Sequence, residues 1–331
     1  MKRIIAVLFF AFLLNGCDDG DLISDEIDFA DIATDRCTTS NRDILYKLND
    51  RDVLILQIPN LDAVLPNIPT AEGGTPTTLA INNSTIRLVY RVFDGEPTDN
   101  NVCASIQPAN PSVIEEWNAI QGTIEITTVA MKSANTTEGY AGGEKITALR
   151  HAIVIRNVTW QTPSNQIIDP TIEFGYYDDE DFIAPALNAY GTEALKCDPN
   201  LIYKKDARTS FTIDIDQALL DNTILNTPKT GLISQTTNKV TFRRFAEGTD
   251  LGASTFDFCA DYPPLIPSAT EVWTADDGVS GLSGIIEVTT TQIGGGFVHS
   301  IRIKNATLRR SDNAFSFKIA DDLLYGELSE D

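Results

Sequence analysis

The chain has 331 residues, 47 acidic against 25 basic, and a net charge of −22. Such a charge repels nucleic acid and anionic lipid headgroups and favours cationic partners or metal ions. The length suits two domains, each able to bury a core of its own.

At the N-terminus Lys2 and Arg3 precede an apolar run over residues 4–14, which breaks at Asn15-Gly16-Cys17. A short basic stretch and an apolar one of this length make a secretory signal, and the run falls short of the about twenty residues that span a bilayer. Leu14-Asn15-Gly16-Cys17 resembles the lipobox of bacterial lipoproteins. That resemblance implies cleavage before Cys17 and lipid modification of Cys17 itself. Asp18-Asp19-Gly20-Asp21 resembles the acidic tract that some Bacteroidota lipoproteins carry after the lipidated cysteine, which implies an outer-membrane lipoprotein displayed at the cell surface. Residues 1–16 are then the signal peptide and 17–36 an acidic, flexible tether. Losing residues 1–16, with Lys2, Arg3 and no acidic side chain, takes the charge from −22 to −24.

The rest of the chain is a tandem duplication. Residues 103–119 (CASIQPANPSVIEEWNA) and 259–275 (CADYPPLIPSATEVWTA) align without a gap, matching at eight of seventeen positions at a constant offset of 156. The matches include Cys103/Cys259 and Trp117/Trp273. Repeat 1 covers residues 37–178, residues 179–196 form a linker, and repeat 2 covers 197–331. With Cys17 set aside, the other four cysteines divide two and two. The duplication favours Cys37–Cys103 and Cys197–Cys259, each bridge contributing about 3–4 kcal/mol in the chain-entropy picture. No C-x-x-C pair appears, which gives redox catalysis and thiolate zinc sites little support.

Each copy opens with a short strand, Ile44-Leu45-Tyr46-Lys47 and Leu201-Ile202-Tyr203-Lys204, and a second follows at 53–58 and 210–215. One helical turn is expected at 61–65 and at 217–220, then a third strand at 84–93 and 238–245. Ser112-x-x-Glu115 and Ser268-x-x-Glu271 fit a capping box that would start a helix, while the alternation through residues 271–275 fits a strand. The best-matched strands come next, 122–128 with 284–290 and 151–159 with 299–307, and a last strand closes each copy at 172–177 and 315–320. Short strands punctuated by Gly, Pro, Asn and Asp predict an all-β chain of two antiparallel β-sandwich domains, with open β-barrels as the alternative.

His151 and His299, the two histidines of the chain, occupy equivalent positions. Alternation places His299, Ile301, Ile303, Asn305 and Thr307 on one side of their strand, so each imidazole caps an apolar face and is read as structural. No nucleophilic triad or zinc ligand set is visible. Glu125 and Glu287 are expected to meet Arg156 and Arg302 or Lys304 across the hairpin, and Trp117 and Trp273 to lie in the cores. The acidic clusters Asp178–Asp181 and Asp276-Asp277 could hold calcium through oxygen ligands, although neither has the spacing of a calcium loop.

The copies also differ. On the outward side of the histidine strand, copy one has Ala152, Val154, Arg156, Val158 and Trp160 where copy two has Ser300, Arg302, Lys304, Ala306 and Leu308. From Thr128 to His151 is 23 positions, against 9 from Thr290 to His299, so the copy-one hairpin is longer by 14 and carries Tyr140 and Gly142-Gly143. Val154, Val158, Trp160 and Tyr140 are therefore expected to form either an interdomain contact or a ligand platform. The function expected is a lipid-anchored binding, adhesion or scaffold protein for a glycan, peptide or envelope partner, with no nucleic acid and no catalytic residues. The alternative is a carboxylate-dependent hydrolase.

Membrane attachment gives the first test. A lipidated cysteine carries two or three acyl chains, enough for stable anchoring. Cys17→Ser is expected to move the protein from the membrane fraction to the soluble fraction; a Cys17→Ser protein that still sediments with membranes would overturn the lipoprotein reading.

Overall fold

The computed structural model describes residues 27, 29–38, 43–71, 74–180, 184–197, 199–253, 256–260, 268–312 and 315–330. Cys17 and the acidic tract after it lie outside the described residues. None of the described helices is long and apolar enough to cross a membrane.

Copy one contains strands β1 (Asp35–Arg36), β2 (Ile44–Asn49), β3 (Asp52–Gln57), β4 (Thr77–Ala80), β5 (Arg87–Phe93), β6 (Val113–Ala134), β7 (Glu144–Gln161) and β8 (Gln166–Asp179). They form one antiparallel sheet in the order β1-β2-β3-β5-β6-β7-β8, with β4 added to β6. The first half of β6 pairs with β5 and its second half with β4, while β7 follows β6 throughout. The sheet therefore folds over on itself as a half-barrel, and its two layers enclose one core that includes Leu54, Leu88, Trp117, Ile124, Ile155 and Phe174.

Copy two makes the same layers from broken strands. Its β9 (Leu195–Cys197), β10 (Leu201–Lys205), β11 (Thr209–Asp214), β13 (Lys239–Phe245), β14 (Ala269–Ala275), β17 (Thr307–Arg310) and β18 (Ser316–Lys318) form one sheet. The other contains β12 (Lys229–Leu232), β15 (Ile285–Ile293), β16 (Gly296–Lys304) and β19 (Asp322–Glu330). The long β6, β7 and β8 of copy one thus correspond to β14 plus β15, β17 plus β16, and β18 plus β19. The all-β sandwich reading holds, and the open barrel survives only as the half-barrel curl of copy one.

Local chemistry explains the departures from the expected elements. The Ser112 and Ser268 motifs start strands, because their glutamates have another role: Trp117 Nε1 donates to Glu115 Oε1 at 2.7 Å and Trp273 Nε1 to Glu271 Oε1 at 2.7 Å. A buried indole N–H needs an acceptor, and a glutamate two residues back on the same strand face supplies it. A helix that alternation did not reveal, Asp99–Cys103, starts where Thr98 N donates to Asn101 Oδ1 at 2.9 Å. It carries Cys103 to the outer face of the sheet, where Cys37–Cys103 closes a second apolar cluster with Tyr46, Val53, Val89 and Phe93. Cys197–Cys259 does the same over Tyr203, Phe245, Leu251 and Phe258. Both expected pairings are present.

The expected tether ends earlier than residue 36. Phe29 is buried, Ile27 and Ile32 pack against the copy-one core, and Asp35–Arg36 is a strand. Three apolar side chains at this spacing outweigh the surrounding acids once a sheet edge is there to receive them.

The expected face of copy one is overturned at one residue. Asn157 has φ +52° and Asn305 φ +50°, the left-handed region that asparagine tolerates better than most residues. Each inserts an extra residue into its strand, and such a bulge shifts the alternation by one. Val158 and Trp160 consequently turn inward and are buried, as are Ala306 and Leu308 in copy two. Trp160 packs edge-on to Trp117 with centroids 6.4 Å apart. The contrast between Trp160 and Leu308 is one core volume exchanged for another, and Ala152, Val154 and Arg156 stay on the outward side.

Removing the largest of these side chains tests the shift. Trp160→Ala is expected to lower the unfolding free energy by about 3–5 kcal/mol, the range for a buried aromatic cut to alanine, in urea titrations. Unfolding at the wild-type urea concentration would mean that Trp160 is not in the core.

Candidate binding cleft at the domain seam

The twin histidines were the first candidates for chemistry. His151 Nδ1 lies 2.8 Å from Thr128 Oγ1, and His299 Nδ1 lies 2.9 Å from Thr290 Oγ1, all four residues being buried. His299 Nε2 lies 3.3 Å from Glu330 Oε2, which places threonine, histidine and carboxylate in a row. None of the cavities described below is lined by these residues, so the row ties sheet strands together and offers no reacting atom to a substrate. Burial pushes both imidazoles below their ordinary value, opposed at His151 by Asp179 and Asp178 and at His299 by Glu330.

Of the acidic candidates, Asp178 and Asp276 are likewise engaged, and Asp181 lies outside the described residues. Arg150 grips Asp178 through Nε at 2.7 Å and Nη2 at 2.6 Å, and Arg309 grips Asp276 through two bonds of 2.9 Å. Those carboxylate oxygens face guanidinium forks, which is geometry for arginine rather than for calcium. Across the hairpins Glu125 meets Arg156 at 2.9 Å and Glu287 meets Lys304 at 2.7 Å, while Arg302 pairs with Asp322. Asp35 is held above the usual carboxylate range by burial and by neighbouring Asp99.

The four expected face residues do not come together. Trp160 and Val158 are in the copy-one core and Val154 is on its outer side, but Tyr140 reaches copy two. The extended hairpin of β6 and β7 turns at residues 135–143 and lies on the edge of the second domain. Asp321 N donates to Ala141 O at 2.9 Å and Lys318 N to Glu144 Oε2 at 3.2 Å. A Cβ on Gly143 would lie 2.1 Å from the carbonyl oxygen of Ile319, so only glycine permits this approach. Ile146 and Leu149 from the hairpin belong to the same buried cluster as Phe211, Phe317 and Tyr325 of copy two.

The expected linker closes the other side. Residues 184–197 run as a strap with a short 3-10 helix, Leu187–Ala189, whose Leu187 enters the copy-two core. Arg244 Nη2 donates to Ala184 O at 3.1 Å, Tyr190 Oη is 2.5 Å from Thr209 Oγ1, and Glu327 N donates to Thr192 O at 2.8 Å. Between hairpin, strap and sheet lie two cavities of about 260 and 360 Å³, both bordered by Thr137, Tyr140, Leu187 and Asn188. Phe317 and Ile319 line the first; Tyr190, Phe211 and Tyr325 line the second. Apolar and aromatic side chains line this cleft beside hydroxyl and amide groups and the charged Glu138, Glu144, Lys145 and Lys204, and a concave site of this mixed lining at a domain junction suits a small ligand. Burial lifts the Tyr140 hydroxyl to about 12, so it is a neutral donor at any physiological pH.

One pair of residues in the motif Tyr-Lys gave no earlier indication of a special role. Lys47 and Lys204 are buried at equivalent positions. Lys47 Nζ donates to Phe29 O at 2.8 Å and lies over the Phe174 ring; Lys204 Nζ donates to Gly191 O and lies over the Tyr325 ring. Each thus fastens the segment that leads into its domain. A Cβ on Gly175 would stand 2.7 Å from Lys47 Nζ, and one on Gly326 2.7 Å from Lys204 Cε, so glycine leaves the room that each lysine fills. The signal available in the sequence was a lysine repeated in both copies within otherwise apolar strands.

No protein-family model matches the chain, and neither a curated protein nor a solved structure shows significant similarity to it.

The buried imidazoles give the stability a pH dependence of known sign. An unfolded histidine takes a proton near pH 6.5, whereas the folded pair resists protonation to lower pH. Below about pH 6.5 the unfolded chain therefore binds more protons, and the stability present above it is lost as pH falls, at up to about 1.4 kcal/mol per pH unit for each group. Replacing both His151 and His299 by Gln is expected to flatten this loss in urea titrations between pH 7 and 5; a slope parallel to wild type would show that other groups carry it.

Proposed function

We propose that the protein is a lipid-anchored binding protein of the bacterial outer membrane, tethered through Cys17 and displayed at the cell surface. It takes a glycan, peptide or envelope partner in the seam cleft. The observation that carries this reading is the hairpin: the 14 residues by which copy one exceeds copy two build one wall of the cleft. Aromatic rings at Tyr140, Tyr190 and Phe317, with Asn135, Thr137 and Asn188 beside them, suit the apolar faces and hydroxyl groups of sugar rings as well as a short peptide. A carboxylate hydrolase needs two acids in one cleft with one of them held protonated; burial and Asp99 raise Asp35 above its ordinary value, but neither acid borders the seam, and the binding reading is preferred.

Tyr140 separates this reading from a purely structural seam. Lipid-free protein immobilised on beads is expected to capture a member of a panel of polysaccharides and peptides, and Tyr140→Ala to lose at least about 2 kcal/mol of that affinity, the scale of an aromatic anchor. The unfolding midpoint should change little, because Tyr140 is only partly buried. A loss of stability with capture intact would make the seam an interdomain contact alone.

A further inference from the structure

We infer that Lys204 is a carbonyl-reactive amine on the floor of the seam cleft, which takes the aldehyde carbon of a small ligand, such as the open-chain end of a reducing sugar, as an imine. This rests on the reading of the seam as a ligand site and names a class of ligand for it.

The duplication supplies the comparison. Lys47 and Lys204 share their strand position, their backbone acceptor, their aromatic neighbour and their spacing glycine, so fastening the lead-in segment is the role common to both. They differ in access. Lys47 is 0% exposed and borders an open cavity of about 670 Å³ beside Asp31, Asp35, Arg150 and Asp178, whereas Lys204 is 8% exposed and lines the cavity of about 360 Å³ together with Tyr140, Tyr190 and Phe211. Only copy two has a hairpin from its twin laid beside the lysine, so only there is the space next to the amine walled by Tyr140 of the other repeat as well as by Tyr190 and Phe211. Gly191, whose carbonyl accepts from Lys204 Nζ, borders the same cavity, as does Tyr325, whose ring lies under the amine.

The chemistry needs the neutral amine. Burial brings the Lys204 ammonium down to about 8, and desolvation in an apolar pocket is one of the standard ways in which a lysine becomes a nucleophile. The ammonium first releases a proton to solvent. The nitrogen lone pair then forms the N–C bond while the C=O π pair moves onto oxygen, which is protonated by water. Loss of that oxygen as water, with departure of the second nitrogen proton, gives the C=N bond. Amine and aldehyde yield imine and water, with no oxidant or reductant.

Reductive trapping reads this directly. Full-length lipid-free protein is treated with benzaldehyde, an uncharged aromatic aldehyde, and sodium cyanoborohydride, and the adducts are mapped by peptide mass spectrometry over about pH 6–9. The expected result is an adduct at Lys204 forming at least about tenfold faster than at the exposed Lys132, as for other activated lysines. Its rate should rise with pH, with a midpoint near 8. Lys47, the fully buried twin, should stay unmodified, and Lys204→Arg, which keeps the charge, should remove the fast adduct. Labelling of Lys204 no faster than of surface lysines would overturn the inference, as would a fast adduct at Lys47. Benzyl alcohol, which cannot form an imine, distinguishes the two readings: fast labelling of Lys204 that it slows supports both. Fast labelling that excess benzyl alcohol leaves unchanged would keep the reactive amine and remove the cleft as a binding site. Binding of benzyl alcohol without fast labelling would do the reverse.

Discussion

One backbone conformation governs the architecture of both domains. A strand that serves two layers of a sandwich must turn its inward side chains from one direction to another as the sheet bends, and a regular pleat with period two does not do this. Asn157 and Asn305, both in the left-handed region, provide the turn by adding one residue to the strand. Upstream of the bulge, His151, Ile153 and Ile155 face the core; downstream of it, Val158 and Trp160 do. The partner strands break in step. The β6–β7 register shifts around residues 119–123, and in copy two residues 276–284 and Asn305 separate β14 from β15 and β16 from β17. Copy one bends continuous strands where copy two interrupts them, and the core is the same.

A second constraint concerns charge. Burying an ammonium is costly unless acceptors surround it, yet both copies keep a lysine in a strand otherwise apolar. Lys47 and Lys204 each hold a backbone carbonyl of the segment that precedes the domain, and each lies over an aromatic ring that attracts cations. The arrangement couples the order of that segment to the sheet: without Phe29 or Gly191 in place, the ammonium would face apolar neighbours alone. The lowered proton affinity of both amines is the electrostatic mark of the same burial. This is why residues 27–36 are part of the first domain although their composition is that of a tether.

How much was legible in the sequence follows from these two features. The duplication, the all-β class, the disulfide pairing and the core positions of Trp117 and Trp273 could be read because they depend on residue identity and regular alternation. The face of Trp160 could not, because one left-handed asparagine inverts every assignment after it, and Asn-x-Thr in a strand has no spacing that marks a bulge. The shared Asn157 and Asn305 were the available clue, since a turn-forming residue repeated inside two matched strands indicates a conformation rather than a side-chain role. Tyr140 was legible as unusual from hairpin length alone. Its neighbours in the cleft were not, because Phe317, Leu187 and Tyr190 come from elements whose contacts depend on how one domain lies against the other.

The seam itself follows from the requirements of sheet edges. In copy two the edge strand β18 leads into Ile319 and Asp321, and the glycine-tipped hairpin from copy one covers it through backbone contacts at Ala141 and Gly143. In copy one the equivalent edge is the first half of β8, where Ile168 is exposed. That edge carries Pro170 instead, a residue without an N–H to offer an intruding strand. Covering and blunting are alternative answers to the same hazard. Because copy two uses the first, its cover must come from another element of finite thickness, and where the hairpin turns away from the strap it leaves the aromatic space beside Tyr140. The cleft is thus a geometric consequence of protecting an edge with a neighbour, and the side chains around it, Lys204 included, share a wall with the other repeat.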